Sequence, residues 1–232
     1  MAEQLTFELA GTPPPRFDNF VAGPNVEAVQ TLQRIVLNEM RETGLVLWGA
    51  GGAGKTHLLH AAAAHARAHG RSVVFIDDVN APGDVVVDGN TLVAVDDIDA
   101  ADASAQARMF TLYNLLAAHE GQLIAAAASP PALMTLRDDL RTRLGWGLVY
   151  EVLPLSDADK PSALSAFAHA RGFHLSDEVI GWLLAHGRRD MASLVQTLIA
   201  LDRHSLALQR PITVPLLREW LQQRMFAADR DR

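Results

Sequence analysis

The sequence predicts an α/β domain, built on a parallel sheet flanked by helices and followed by a small all-helical domain. Short, continuously apolar runs alternate with helical segments through the first two thirds of the chain. This alternation is typical of a parallel sheet that is covered on both faces. A glycine-rich loop follows the first apolar run, and strand-like runs stop at Ser156, after which only helical periodicity continues.

The elements follow one another in a regular order. Residues 1–16 contain Pro13-Pro14-Pro15, which cannot continue a helix, so we expect a flexible tail. Apolar residues spaced three or four apart predict a helix over 26–42, and a second helix is expected over 56–69. The apolar runs predict strands at 45–48, 72–76, 92–95, 123–127 and 148–153.

A domain boundary is expected near Pro154. The α/β domain would then cover 17–154, after the tail 1–16, and the helical domain would cover 155–232. Within the helical domain, apolar periodicity predicts helices over 157–171, 176–186, 190–205 and 214–225.

Composition narrows the class of protein. The 232 residues are 49% hydrophobic and lack cysteine, which excludes disulfides and thiolate sites and fits a reducing cytoplasm. No apolar run approaches the ~20 residues that a membrane helix needs, so no membrane partner is expected. The net charge of −7 disfavours direct DNA binding, because such binding draws its affinity from clustered cations.

The glycine-rich loop reads GAGGAGKT and fits the phosphate-loop pattern at every fixed position. Its glycines let backbone N–H groups turn toward a β-phosphate, and the next helix presents its positive end. A lysine at this spacing reaches the β- and γ-phosphates, and the following hydroxyl ligates Mg²⁺. The loop therefore predicts ADP or ATP with Mg²⁺, and the choice between the two nucleotides stays open. The predicted phosphate-binding residues are Gly49, Gly51, Gly52, Ala53, Gly54, Lys55 and Thr56.

An acidic pair ends the strand at 92–95. In an open α/β sheet the ligand lies at the carboxyl ends of the strands. Asp96 would therefore hold Mg²⁺, and Asp97 would orient or deprotonate the attacking water. An acidic pair after a strand is also a common turn or helix cap, but the preceding phosphate loop favours the metal site. Asp77-Asp78 competes for the role after a shorter and less uniformly apolar strand.

Four segments together resemble the AAA+ domain of the DnaA family of bacterial replication proteins. They are FDNFV at 17–21, the GAGGAGKTH loop ending at His57, VDDID at 95–99 and LRTRLGWG at 140–147. The similarity runs from about Phe17 to Met225, and no basic helix-turn-helix domain follows. The resemblance is therefore to the short regulatory branch of the family, whose members inactivate the initiator DnaA.

The resemblance implies an AAA+ fold with a helical lid, and it assigns nucleotide contacts beyond the phosphate loop. Phe20, Val21 and His57 would contact the nucleotide from the first domain. Arg189 would reach it from the lid as a sensor-2 arginine, with Arg188 as the adjacent alternative.

The resemblance also implies an arginine finger. Arg143 would act in trans on the γ-phosphate of ATP held by DnaA; Arg141, two residues away, is the residue most easily mistaken for it, and the alternative is that Arg143 is a surface arginine without a role. Arginine fingers accelerate phosphoryl transfer by roughly 10³ to 10⁵ in GTPases. DnaA is therefore the expected partner, and whether the chain also forms a homodimer stays open.

The N-terminal segment Gln4-Leu5-Thr6-Phe7-Glu8-Leu9 resembles the peptide by which bacterial proteins dock on the sliding clamp of DNA polymerase III. Gln4 can hydrogen-bond at a pocket edge, while Leu5, Phe7 and Leu9 supply apolar anchors. The same alternation would fit an edge strand. With the family resemblance, it favours the DNA-loaded clamp as a second partner and a place at the replisome.

One departure from the family pattern concerns the chain's own hydrolysis. DnaA relatives carry a polar sensor after the strand at 123–127, whereas this chain has Ala128, with Ser129 as a substitute left open. Asp97 is also one methylene shorter than the glutamate common in AAA+ enzymes. We therefore expect weak intrinsic ATPase activity. Two alternatives remain: a self-contained ATPase of helicase-loader type, and a DnaA-binding module that promotes no hydrolysis.

Overall fold

The computed structural model describes residues 14–81, 83, 85–187 and 191–228. They form two compact units, one over Pro15–Leu155 and one within Ser156–Arg232. The clamp-type peptide Gln4–Leu9 and both sensor-2 candidates, Arg188 and Arg189, lie outside the described residues.

A five-stranded parallel sheet forms the centre of the larger unit. Its strands are hydrogen-bonded in the order β2-β3-β4-β1-β5, and each neighbouring pair is parallel. Strands β3 and β4 are buried along their whole length because helices cover both of their faces. The predicted parallel sheet is confirmed. The strands are β1 (Gly44–Trp48), β2 (Ser72–Ile76), β3 (Thr91–Val95), β4 (Gln122–Ala127) and β5 (Leu148–Glu151).

Helices pack on both faces of this sheet. One apolar core joins α1 and α2 to the sheet through Leu32 and Leu58, and the other joins α3 and α4 through Leu116 and Leu140. Helix α1 ends six residues before the predicted end, because Asn38 has a left-handed backbone (φ 58°) that cannot continue a helix. The helices are α1 (Val26–Val36), α2 (Lys55–Ala68), α3 (Ala103–Ala118) and α4 (Asp138–Trp146).

The described residues of the second unit form helices joined by short loops. Ser176 caps one helix by accepting a hydrogen bond from the Val179 N–H, and a buried Arg171–Asp202 ion pair of 3.0 Å joins two others. Leu164, Leu183, Leu198 and Leu217 contribute to its apolar core. None of the helices described here has the length and apolarity to cross a bilayer. Its helices are α5 (Lys160–Ala170), α6 (Asp177–His186), α7 (Met191–Leu208) and α8 (Val214–Ala228).

Arg71 is a buried cation at the amino ends of the strands, whereas the phosphate loop lies at their carboxyl ends. Its side chain donates to the Ile35 carbonyl oxygen (2.8 Å), the Gln122 side-chain oxygen (2.9 Å) and the Thr91 carbonyl oxygen (3.3 Å). Burial lowers the pKa of Arg71, and the charge of Asp88 opposes that shift. One side chain therefore links α1 to the starts of β3 and β4.

Replacing Arg71 with Met should lower the free energy of unfolding by about 3 kcal/mol, because buried acceptors lose their donors. Urea denaturation of the purified chain measures this. Arg67→Ala, on the exposed part of α2, serves as the control and should change stability by less than about 0.5 kcal/mol. Equal stabilities for the two variants would contradict the structural role of Arg71.

Candidate functional site

The phosphate loop joins β1 to α2 in a conformation that needs its glycines. Gly52 and Gly54 have φ values of 78° and 103°, and the Gly49 N–H donates to the Ala127 carbonyl oxygen at 3.2 Å. Lys55 Nζ donates to the carbonyl oxygens of Gly49 (2.6 Å) and Ala50 (3.0 Å). The structure therefore holds the ammonium over the loop at the start of α2, an arrangement that fits a bound phosphate chain.

The segment before α1 packs against this loop. The Phe20 ring lies 5.4 Å from the His57 ring, centroid to centroid, and His57 Nε2 lies 3.0 Å from the Arg16 carbonyl oxygen, to which it can donate. A methyl group on Gly54 would lie 2.7 Å from Phe20 Cε2. The structure thus brings together Phe20, His57 and the phosphate loop, and Val21 follows as a half-buried residue.

Burial also lowers the pKa of two histidines of α2 that contact the segment before α1, His57 and His65. Desolvation lowers the pKa of His57, repulsion from His60 adds to this shift, and the bond to the Arg16 carbonyl opposes it. The pKa of His65, which packs edge-on against Phe17 at 5.6 Å, is lowered by burial first and then by its neighbours. Both imidazoles are therefore more readily neutral than in water.

Gly54→Ala should destabilise the fold by about 1–3 kcal/mol, because it combines a positive φ with a clash against Phe20. The control is Gly51→Ala in the same loop. A methyl group there meets no atom within 4 Å, so this variant should unfold at the wild-type temperature. Thermal unfolding of both variants tests the expectation, and a Gly54→Ala variant as stable as Gly51→Ala would refute it.

Three carboxylates cluster at the carboxyl end of β3. Asp97 has a left-handed backbone (φ 44°), and its pKa is raised by burial, with repulsion from Asp96 and Asp99 adding to the shift. The charge of Lys55 opposes this shift. The Asp96 N–H donates to the Ile76 carbonyl oxygen at 2.9 Å.

Asp99 is a residue that our sequence analysis did not assign. Its Oδ2 accepts a hydrogen bond of 2.9 Å from the Ala128 N–H, which joins the end of β3 to the end of β4. The available signal was the third acidic residue of VDDID, but only the strand order brings it beside Ala128. The backbone at the position of the missing polar sensor is thereby fixed, although its side chain remains a methyl group.

The competing acidic pair, Asp77 and Asp78, lies at the end of β2. Asp78 Oδ1 accepts from the Asn80 N–H at 3.0 Å, a turn-forming contact. Strand β2 is at the sheet edge, one strand further from the phosphate loop than β3. Among the described residues, no three His, Asp or Glu side chains converge on a metal position. Mg²⁺ at Thr56 and Asp96 stays a prediction, and this ion is usually bound by one or two protein ligands together with substrate phosphates and water.

Helix α4 carries the candidate arginine finger. Arg137 and Arg141 form ion pairs of 2.7 Å with Asp139 and Asp138. In contrast, the part of the chain that is described contains no carboxylate within ion-pair distance of Arg143. Its guanidinium carbon lies 4.3 Å from the centre of a Trp146 ring. Arg143 is thus the arginine of α4 whose charge is free of local neutralisation.

This parallel sheet, with a phosphate loop after β1, acidic residues after β3 and a separate helical unit, defines an AAA+ nucleotide-binding fold. Residues 13–80 and 86–151 match the family described as the bacterial DnaA ATPase domain, and residues 157–221 match the family described as Hda, lid domain. The chain belongs to the DnaA ATPase-domain family, as an Hda-like homologue of DnaA.

Solved structures support the same fold. Domain III of the Thermotoga maritima replication initiation protein DnaA has a TM-score of 0.78 at 18% identity, covering 91% of this chain and 97% of that domain. AMPPCP-bound DnaA from Aquifex aeolicus has a TM-score of 0.66 at 20% identity, covering 84% of this chain and 66% of that one. A RuvB mutant from Thermotoga maritima gives 0.65 at 14% identity, covering 90% of this chain and 72% of that one.

Proposed function

We propose that this chain is a regulator that stimulates hydrolysis of the ATP bound to DnaA and so converts the initiator to its ADP form. The observation that carries the proposal is Arg143, a half-buried arginine of the AAA+ domain that has no ion-pair partner in the described structure. A cation placed on a γ-phosphate neutralises charge that develops during phosphoryl transfer. The match to the Hda lid family supports a DnaA-related regulator.

In the proposed reaction, both the nucleotide and the attacking water belong to DnaA. Water attacks the γ-phosphorus, the bond to the β–γ bridging oxygen breaks, and ADP and inorganic phosphate are the products. Arg143 would donate to γ-phosphate oxygens without changing its own protonation state, because guanidinium remains charged. This chain therefore supplies electrostatic stabilisation in trans.

We further propose that the chain's own phosphate loop binds ADP or ATP. Lys55 would leave the loop carbonyls for the phosphates, and the exposed Thr56 hydroxyl with Asp96 would hold Mg²⁺, which neutralises phosphate charge. Phe20 beside Gly54 would line the nucleoside side of the site. The AMPPCP complex of Aquifex DnaA supports nucleotide binding by this fold.

The same site is poorly equipped for its own hydrolysis. Ala128 has no polar side chain, and its N–H is already engaged by Asp99. Asp97 is one methylene shorter than the glutamate common in AAA+ enzymes, so its carboxylate reaches less far toward an attacking water. Bound nucleotide would therefore act mainly as a structural ligand. Arg189 remains the proposed sensor-2 contact from the lid, with Arg188 as its alternative.

The direct test uses cognate DnaA loaded with ATP, sliding clamp loaded on DNA, and the full-length chain. Adding the chain should raise the rate at which DnaA-bound ATP becomes ADP. An unchanged rate, together with complex formation, would instead identify a DnaA-binding module that promotes no hydrolysis.

Binding to the clamp is proposed to depend on the N-terminal peptide. Deleting residues 1–9 should weaken binding to the DNA-loaded clamp by at least about tenfold, since apolar anchors dominate such contacts. Leu5→Ala and Phe7→Ala should each reproduce most of this loss in a surface-binding assay. Thr6→Ala, between the two anchors, is the matched control, and clamp affinity unaffected by the deletion would exclude this role.

A self-contained ATPase of helicase-loader type is the second candidate, and the observation that favours it is Asp97 at the carboxyl end of β3, in a sheet that carries a phosphate loop after β1. This candidate requires substantial ATP hydrolysis by the isolated chain. Asp97→Asn should then abolish that turnover while nucleotide binding persists. Negligible turnover without DnaA would exclude this candidate.

A further inference from the structure

Trp146 is a large aromatic side chain that lies at the surface beside the proposed finger. It is 67% exposed, although it is the last residue of α4. The guanidinium carbon of Arg143 lies 4.3 Å from the centre of a Trp146 ring and 6.0 Å from that of Phe110. Two neighbouring arginines, Arg137 just before α4 and Arg141 within it, are instead engaged by carboxylates. Arg143 therefore has aromatic contacts where Arg137 and Arg141 have ionic ones.

The backbone that carries Trp146 is held firmly. Gly147 follows directly and approaches β1 so closely that a Cβ there would lie 2.7 Å from the Gly44 carbonyl carbon. The end of α4 is thereby fixed against the sheet, while the Trp146 side chain points outward. A fixed aromatic ring is a suitable support for a long side chain that would otherwise sample many rotamers.

We propose that Trp146 is a positioning residue that orients Arg143 and forms the apolar contact with the ATP-bearing face of DnaA. Cation–π contact strengthens when water is excluded, so packing a partner over Trp146 would hold the guanidinium more tightly. This inference rests on the proposed function of Arg143.

The charge and the apolar character of this surface favour the ATP-bearing face of DnaA as its partner. An aromatic surface next to an unneutralised guanidinium matches an anionic group surrounded by protein, as a nucleotide at an interface presents. Tryptophan and arginine are also the side chains that most often dominate the centre of protein interfaces. The neighbouring ion pairs of Arg137 and Arg141 leave Arg143 as the α4 arginine suited to a phosphate.

The test measures stimulated hydrolysis of DnaA-bound ATP as the concentration of the chain is varied. Trp146→Leu keeps an apolar side chain but removes the ring, and it should lower the rate at saturation by about 5- to 30-fold, the range expected for a desolvated cation–π contact. Trp146→Phe should recover most of that loss. An unchanged saturating rate for Trp146→Leu, or no recovery by Phe, would overturn the positioning role.

Leu133→Ala is the matched control, because Leu133 is 73% exposed and lies on the short 3₁₀ turn that contacts α4. Its saturating rate should equal that of the wild type. An equal loss of the saturating rate in Leu133→Ala and Trp146→Leu would show that the effect is not specific to the Trp146 ring, which contradicts the inference. Thermal unfolding should be unchanged in all three variants, since both side chains are exposed.

Acrylamide quenching tests the docking contact separately. The difference in fluorescence between wild type and Trp146→Phe reports Trp146, which should be quenched in the free chain and protected in the complex with ATP-loaded DnaA. Equal quenching in both states would overturn docking. Arg143→Ala separates failure of the proposed function from failure of the inference. Stimulation that survives in Arg143→Ala refutes the proposed function. Stimulation that is lost in Arg143→Ala but complete in Trp146→Leu refutes only the inference.

Discussion

Arg143→Ala should reduce stimulated hydrolysis of DnaA-bound ATP by about 10³-fold or more, toward the rate of DnaA alone. Arginine fingers in GTPase systems contribute factors of about 10³ to 10⁵, because their charge acts at the transition state in a site from which water is excluded. The size of the observed drop is limited by how strongly the wild-type chain stimulates DnaA. Single-turnover conversion of ATP-loaded DnaA, with clamp on DNA, measures it.

Arg141→Ala is the control for this variant, because the two arginines share helix α4 and lie two residues apart. Arg141 forms an ion pair with Asp138, so its charge is already partly neutralised, whereas Arg143 contacts aromatic rings. Arg141→Ala should therefore keep most of the stimulation. A larger loss in Arg141→Ala than in Arg143→Ala would transfer the proposed finger to Arg141.

Lys55→Ala should weaken adenine-nucleotide binding by about 100-fold, the equivalent of about 3 kcal/mol. In the described structure Lys55 Nζ contacts only backbone carbonyls of the loop, so it is available to a phosphate chain. The replacement removes charge-assisted hydrogen bonds from the β- and γ-phosphates, while the glycine backbone of the loop remains. Calorimetric titration with ADP and with ATP also determines which nucleotide binds more tightly.

Arg67→Ala is the control. It removes a positive charge from the exposed last turn of the same helix, away from the phosphate loop. Its nucleotide affinity should match that of the wild type. Equal affinity of Lys55→Ala and wild type for both nucleotides would exclude the phosphate loop as the binding site.

The sequence predicted the elements whose pattern is local. The strand at 72–76 has the predicted bounds, and β3 and β4 each begin one residue earlier than predicted, because buried parallel strands are continuous apolar runs. Helices α3 and α4 were not placed. In α3, large apolar residues such as Leu115 also lie on the exposed side, and α4 buries only Leu140 and Leu144 among polar neighbours, so neither helix has a strong helical period.

The contacts that organise the candidate site were not accessible to the same reasoning. The bond between Asp99 and Ala128 depends on β3 and β4 being neighbours, and the packing of Phe20 on Gly54 joins residues separated by a helix and a strand. The family resemblance assigned the finger to Arg143 rather than to Arg141, but the sequence could not show how the surroundings of the two side chains differ. Their difference comes from side-chain partners in three dimensions, an ion pair in one case and a tryptophan ring in the other.

The proposed hydrolysis takes place on the nucleotide of the partner rather than on that of this chain. Loading DnaA with ³²P-labelled ATP and this chain with ³H-labelled ATP, before mixing them with DNA-loaded clamp, tests it most directly. The DnaA-bound label should become ADP, while the label bound to this chain persists as ATP. Conversion of the chain's own label, with the DnaA-bound ATP left intact, would contradict it.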